Sequence, residues 1–217
     1  MARLIEKNHF IWLTLALIGL MIAGAFSREI PNSPTLELIQ YTSLVLLLLS
    51  LLSLKTKRLW GKGFLFILGV MLAVVVIRGT TKIEYFEYFY LGLLLTFMLG
   101  AALLVASQVL LTGKVDTNII IGSVALYLLI GLIWSIFYTI ILEISPEAFA
   151  GIEAGPWYDN MSATTYFSFV TLTTLGYGDI SPTKPMAEVV VVLEAITGMF
   201  YLAVIVASLI GSKRDQS

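Results

Sequence analysis

The chain has 217 residues, of which 59% are hydrophobic and 12% charged, with a mean hydropathy of +0.95; soluble domains carry about 25% charged residues, so a water-soluble globule is excluded. The net charge of -1 offers no basic surface for nucleic-acid phosphates, so no nucleic acid is expected as partner. Cysteine is absent, which removes disulfides, thiol catalysis and thiolate metal sites, and the single histidine, His9, reads as a solvated flank beside Lys7 and Asn8.

Because backbone amides inside lipid must be satisfied within the element itself, a spanning helix needs about 20 mostly apolar residues. Six runs approach that length: Phe10 to Phe26, Leu36 to Leu54, Leu59 to Ile77, Tyr85 to Leu111, Ile119 to Leu142 and Met186 to Ile210. The expected fold is therefore an all-α integral membrane protein with six transmembrane helices. Basic residues ahead of the first run and Ala23-Gly24-Ala25 near its end also fit a cleaved signal peptide, but the length of the run favours a retained helix. The breaks are short and carry turn chemistry, such as Pro31 and Pro34, the basic run Lys55 to Arg58, and Thr112-Gly113-Lys114. After the last run only Gly211 to Ser217 remain, so no cytosolic regulatory module is expected there.

Cytoplasmic loops are enriched in Lys and Arg. With both termini inside, Arg3, Lys7, Lys55, Lys57, Arg58, Lys62, Lys114, Lys213 and Arg214 are cytoplasmic, leaving Arg28, Arg78, Lys82 and Lys184 outside, nine against four of the 13 cations. This predicts a multi-pass protein of a plasma or cell inner membrane with cytoplasmic termini. Glu143, Glu147, Glu153, Asp159 and Asp179 gather between the last two runs, where they read either as an acidic mouth or as a solvated loop.

Between the fifth and sixth runs lies Tyr166-Phe167-Ser168-Phe169-Val170-Thr171-Leu172-Thr173-Thr174-Leu175-Gly176-Tyr177-Gly178-Asp179. The stretch from Ser162 to Thr173 is apolar but too short to span, which predicts a re-entrant helix with Ser162 as its N-cap. Two glycines one residue apart then permit backbone conformations closed to other residues. Irregular backbone at membrane depth is tolerated only inside protein or beside a water-filled path. Its physical use is to aim the carbonyls of Thr174, Leu175, Gly176 and Tyr177 at a passing dehydrated cation, with the Thr174 hydroxyl as a further oxygen. Tyr177 is expected to point away and pack on Tyr166 and Phe167.

This segment resembles the filter signature of the potassium-channel family, usually T-V-G-Y-G-D and here T-L-G-Y-G-D, with Leu175 for valine. The resemblance covers roughly Ile119 to Gly211 and implies a homotetramer conducting potassium as a permeant ion, with no cofactor and no catalytic residue. It further implies a filter at Thr174, Leu175, Gly176, Tyr177 and Gly178, supported by Tyr166, Phe167 and Asp179. The upstream helices resemble the six-helix members only in number, giving a peripheral four-helix part at 1–113 and a pore domain at 114–217, in contact with membrane lipids. By position, Gly198 resembles the inner-helix hinge glycine or else is a packing residue, and Met199, Leu202 and Val206 would face an apolar gate.

Glu194 lies within the last run, and an intramembrane carboxyl marks a functional or network residue. It is expected to brace the re-entrant helix through a hydroxyl such as Ser168 or Thr171, whereas the pore-helix glutamate of several relatives is matched here by Val170. The fourth run holds no Lys or Arg, so steep voltage dependence is not expected. The alternatives are a weakly selective or non-selective monovalent cation channel and a transporter with a broken helix, the latter lacking a second interrupted segment.

Overall fold

The computed structural model describes residues 9–29, 85–110, 116–153 and 155–214, with scattered helical positions between 63 and 73. Among the described residues, beside those scattered positions, five helices and one strand pair occur in chain order: α1 His9–Glu29, α2 Tyr85–Leu110, α3 Thr117–Ile144, β1 Phe149–Ala150, α4 Trp157–Leu172, β2 Ser181–Pro182 and α5 Pro185–Arg214.

The six-span architecture is corrected here. Among the described residues three helices are long and apolar enough to cross a membrane, at Tyr88–Leu110, Thr117–Ile144 and Pro185–Ser208. The first run forms a helix, but its apolar part, Phe10–Phe26, is a shorter one. At about 1.5 Å of rise per residue it falls short of a hydrocarbon core of about 30 Å. The runs Leu36 to Leu54 and Leu59 to Ile77 lie outside the described residues or touch them only at isolated positions. The basic cluster Lys55, Lys57, Arg58 and Lys62 lies wholly outside them, as do Arg78 and Lys114. The described chain is thus an all-α domain with three spanning helices and a two-stranded loop. That strand pair was not foreseen: β1 and β2 run antiparallel, with Phe149 opposite Pro182 and Ala150 opposite Ser181.

Helix α3 is the hub, making its broadest contacts with α4, α2 and α1. Its first turn is capped by Asp116, whose carboxylate accepts from the Ile119 amide at 2.8 Å, meeting one of the donors that a helix start leaves unsatisfied. One core joins Phe10, Leu13 and Leu17 of α1 to Phe97, Met98 and Val105 of α2 and Leu126, Leu129 and Ile136 of α3. A second gathers Tyr138 and Leu142 of α3, Phe149, Phe167 of α4, Ile180 and Ala187 of α5. Between them the two cores fix α4 against α3.

Helix α5 is different. Among its described residues only Ala187, Glu194 and Gly198 are buried, and Val189, Val192, Ile196, Met199, Phe200, Leu202, Val204 and Val206 are exposed.

Candidate functional site

Helix α4 is a 16-residue element, too short to span, and it begins at Trp157. The expected cap at Ser162 is therefore corrected: Pro156 holds the cap position with no side-chain bond, and Ser162 lies inside the helix. A proline has no amide to satisfy at a helix start, so the helix extends back to it. Asn160 also lies within the helix, buried, with its amide donating to the Gly155 carbonyl at 3.0 Å.

The C-terminal end of α4 organises the loop at 173–179. The Thr174 amide donates to Thr171 O at 2.9 Å, and the amides of Leu175 and Gly176 both donate to Val170 O, at 2.9 and 3.3 Å. In a trans peptide the carbonyl points opposite to the amide N–H of the next residue, and no described peptide is cis. The carbonyls of Thr173, Thr174 and Leu175 are therefore directed away from α4. Left-handed φ values recur at alternate residues, 59° at Thr174, 58° at Gly176 and 81° at Gly178. Alternating handedness turns successive amides to one side, forming a nest, and leaves carbonyls for the other. Residues 173–179 are all exposed in the protomer, between buried Leu172 and Ile180.

The supporting residues divide. The Tyr166 hydroxyl donates to Asp179 Oδ2 at 2.8 Å, tying the far end of the loop to α4. That bond, chiefly, raises the Tyr166 phenol above its ordinary pKa. Phe167 does not brace Tyr177 as expected. It turns toward α3 and packs its ring 5.0 Å from that of Tyr138 and 5.4 Å from that of Phe149. Tyr177 remains 67% exposed and lines, with Tyr166, Phe169, Leu175 and residues of α1, an apolar cavity of about 500 Å³.

Glu194 is fully buried, at 0% exposure. Ser168 Oγ lies 2.5 Å from Glu194 Oε1, and the Tyr138 hydroxyl donates to Glu194 Oε2. Of the two hydroxyls foreseen, Ser168 is the one in place; Thr171 is buried without a bond to Glu194 among the described contacts. Ser168 also reaches Gly131 O of α3 at 2.7 Å. Gly198, one turn beyond Glu194, sits so close to α4 that an added Cβ would lie 2.0 Å from the Leu172 carbonyl oxygen. The structure therefore gives Gly198 a packing reason. Met199, Leu202 and Val206 lie on the uncovered surface of α5.

Sequence reasoning missed the hydroxyls that join α3 to α4. Ser135 Oγ lies 3.2 Å from Thr164 Oγ1 and 2.8 Å from Thr165 Oγ1, and Thr139 Oγ1 lies 2.8 Å from Thr164 Oγ1. The available signal was spacing, since Gly131, Ser135 and Thr139 recur every four residues and so share one face of a helix. Tyr138 as the partner of Glu194 carried no such signal.

The acidic residues between α3 and α5 have different surroundings. Glu147 makes a surface ion pair with Lys184 at 3.6 Å, Asp179 bonds Tyr166, and Glu153 and Asp159 are exposed. No group of three or more metal-ligating side chains occurs among the described residues.

Similarity to known proteins falls on the part of the chain from α3 to α5. The model of a family described as "Ion channel" matches residues 122–212. Two-pore potassium channel 5 of Arabidopsis thaliana is 29% identical over 75 residues, a match covering 35% of this chain and 17% of that protein. No solved structure matches the chain. It is a multi-pass membrane protein by its long apolar helices, and the match of residues 122–212 to a family described as "Ion channel" is consistent with a transport protein that is not an enzyme.

Proposed function

We propose that the chain is one subunit of a potassium-selective channel in which four copies close residues 173–179 into a ring of backbone carbonyls. The observation that carries this reading is the alternation of left-handed residues at Thr174, Gly176 and Gly178, with the amides of Thr174, Leu175 and Gly176 held on Thr171 and Val170 and the carbonyls of Thr173, Thr174 and Leu175 directed away from α4. Exposed carbonyls at membrane depth are stable only beside other protein or water. A symmetric ring supplies both, and identical chains close rings readily. The oxygens of Thr174, Leu175, Gly176 and Tyr177 would replace the hydration shell of potassium, and the C-terminal end of the α4 dipole favours a cation. The relative's name, a potassium channel, points the same way.

In this assembly the uncovered surface of α5 packs on neighbouring copies and lines the path below the filter. Met199, Leu202 and Val206 give that path an apolar wall suited to closure by dewetting. A hinge at Gly198 would have to break its contact with Leu172. Residues 114–217 form the pore part and 1–113 surround it. Helix α2 has no Lys or Arg, so gating by charge movement through the field lacks its usual source there.

The test is ion flux through purified protein in lipid vesicles. Potassium is expected to pass in preference to sodium, barium to block, and conductance to vary only weakly with voltage. Equal sodium and potassium permeability would favour a weakly selective cation channel instead, and absence of flux would remove the channel reading.

A further inference from the structure

Three close contacts meet around the Glu194 carboxyl. The Tyr138 hydroxyl reaches Oε2, Ser168 Oγ lies 2.5 Å from Oε1, and the same Ser168 Oγ lies 2.7 Å from Gly131 O. Each of these contacts between oxygens needs a proton in it. Tyr138 and Ser168 supply one proton each, and a backbone carbonyl can only accept. The third has one remaining source, the carboxyl itself.

We propose that Glu194 is held as a neutral carboxylic acid and acts as a positioning residue. Its Oε1–H donates to Ser168, Ser168 donates to Gly131 O, and Oε2 accepts from Tyr138, so that one directed chain of hydrogen bonds joins α5, α4 and α3. An ionised Glu194 would leave the single Ser168 proton facing two acceptors. It would also leave a charge at 0% exposure with no ion-pair partner among the described residues, an arrangement proteins avoid.

Among the described residues the surroundings offer no cation to offset a charge. From α3 the titratable groups facing the carboxyl are the phenols Tyr138 and, at longer range, Tyr127. Helix α4 presents the Ser168 hydroxyl, while its one carboxylate, Asp159, is exposed in the first turn. On α5 the neighbouring ionisable residues, Glu188 and Tyr201, lie about two turns away on either side.

Position makes the chain consequential. Glu194 and Gly198, one turn apart on α5, face Ser168 and Leu172, one turn apart on α4, immediately before the loop at 173–179. Loss of the Glu194 proton turns the Ser168 hydroxyl toward the carboxylate, releases Gly131 O, and loosens α4 from α3 at the base of that loop. This consequence for conduction rests on the channel reading; the protonation state does not.

Infrared spectroscopy of the full chain in lipid, with flux measured over the same alkaline titration, separates the two. The expected result is a protonated-carboxyl band at neutral pH that disappears in Glu194→Gln, shifts in Tyr138→Phe and is lost on alkalinisation together with wild-type flux. In Glu194→Gln, whose amide keeps a donor for Ser168, flux is expected to lose its dependence on alkaline pH. Absence of the band from the wild type, or its persistence unchanged in both variants, would overturn the neutral acid. Flux in Glu194→Gln that varies with pH as in the wild type would overturn the positioning role. A protein with the band but no flux would uphold the neutral acid and count against the channel.

Discussion

Thr174 holds a φ of 59°, a region a β-branched residue enters at a cost of about 1–3 kcal/mol. Strain of this kind persists only where neighbours impose it, and here the amides of Thr174, Leu175 and Gly176 are fixed on the last turn of α4. The glycines gripping α4 make a sharper test. At Gly198 an added Cβ meets backbone, the Leu172 oxygen at 2.0 Å, whereas at Gly131 it meets the tip of the Phe169 ring at 2.5 Å. A ring tip can rotate aside and a helix backbone cannot. Gly198→Ala is therefore expected to cost at least the ~1–3 kcal/mol typical of overpacking, and Gly131→Ala less. Thermal unfolding in detergent checks the order, and equal or reversed losses would show that α5 does not press on Leu172 as described. The glycine at 198 and the carboxyl at 194 were both legible as unusual residues in an apolar run. That they address the same face of α4 was not, because no pattern within α5 reveals what lies opposite.

Between α3 and α4 the contact is laced with hydroxyls, an arrangement with a physical reason. Lipid gives helices no hydrophobic drive to associate, so small residues and hydrogen bonds hold them. Ser135 and Thr164 belong to one shared network with Thr139 and Thr165. Ser135→Ala is expected to cost about 1 kcal/mol, since Thr165 and Thr164 keep their bonds to Met161 O. Combined with Thr164→Val, the loss should fall short of the sum by about 0.5 kcal/mol or more, because the two changes remove the same bond. Strict additivity in the double-mutant cycle would mean the hydroxyls do not act together. At this scale the sequence foretold α3, the apolar body of α5 and a short helix before the glycines, because composition and length decide those. It misjudged three features. The first run is apolar yet too short to span, the start of α4 is set by Pro156 in place of a polar cap, and Phe167 turns to Tyr138 and Phe149 because β1 brings Phe149 into reach. Only the last depends on contacts between segments distant in sequence.

In the whole molecule, two features of the isolated protomer ask for the same completion. Seven consecutive residues, 173–179, are exposed, and α5 is covered along only a narrow stripe. Both lie on the part matched by the ion-channel family, and both become buried or water-lined if copies gather around one axis. The most direct measurement is a structure of the protein extracted from membrane in potassium salt. The account expects four copies around an axis, with ion density between the oxygens of Thr174 and Leu175. A structure in which residues 173–179 face lipid, or stand apart from those of other copies, would contradict it.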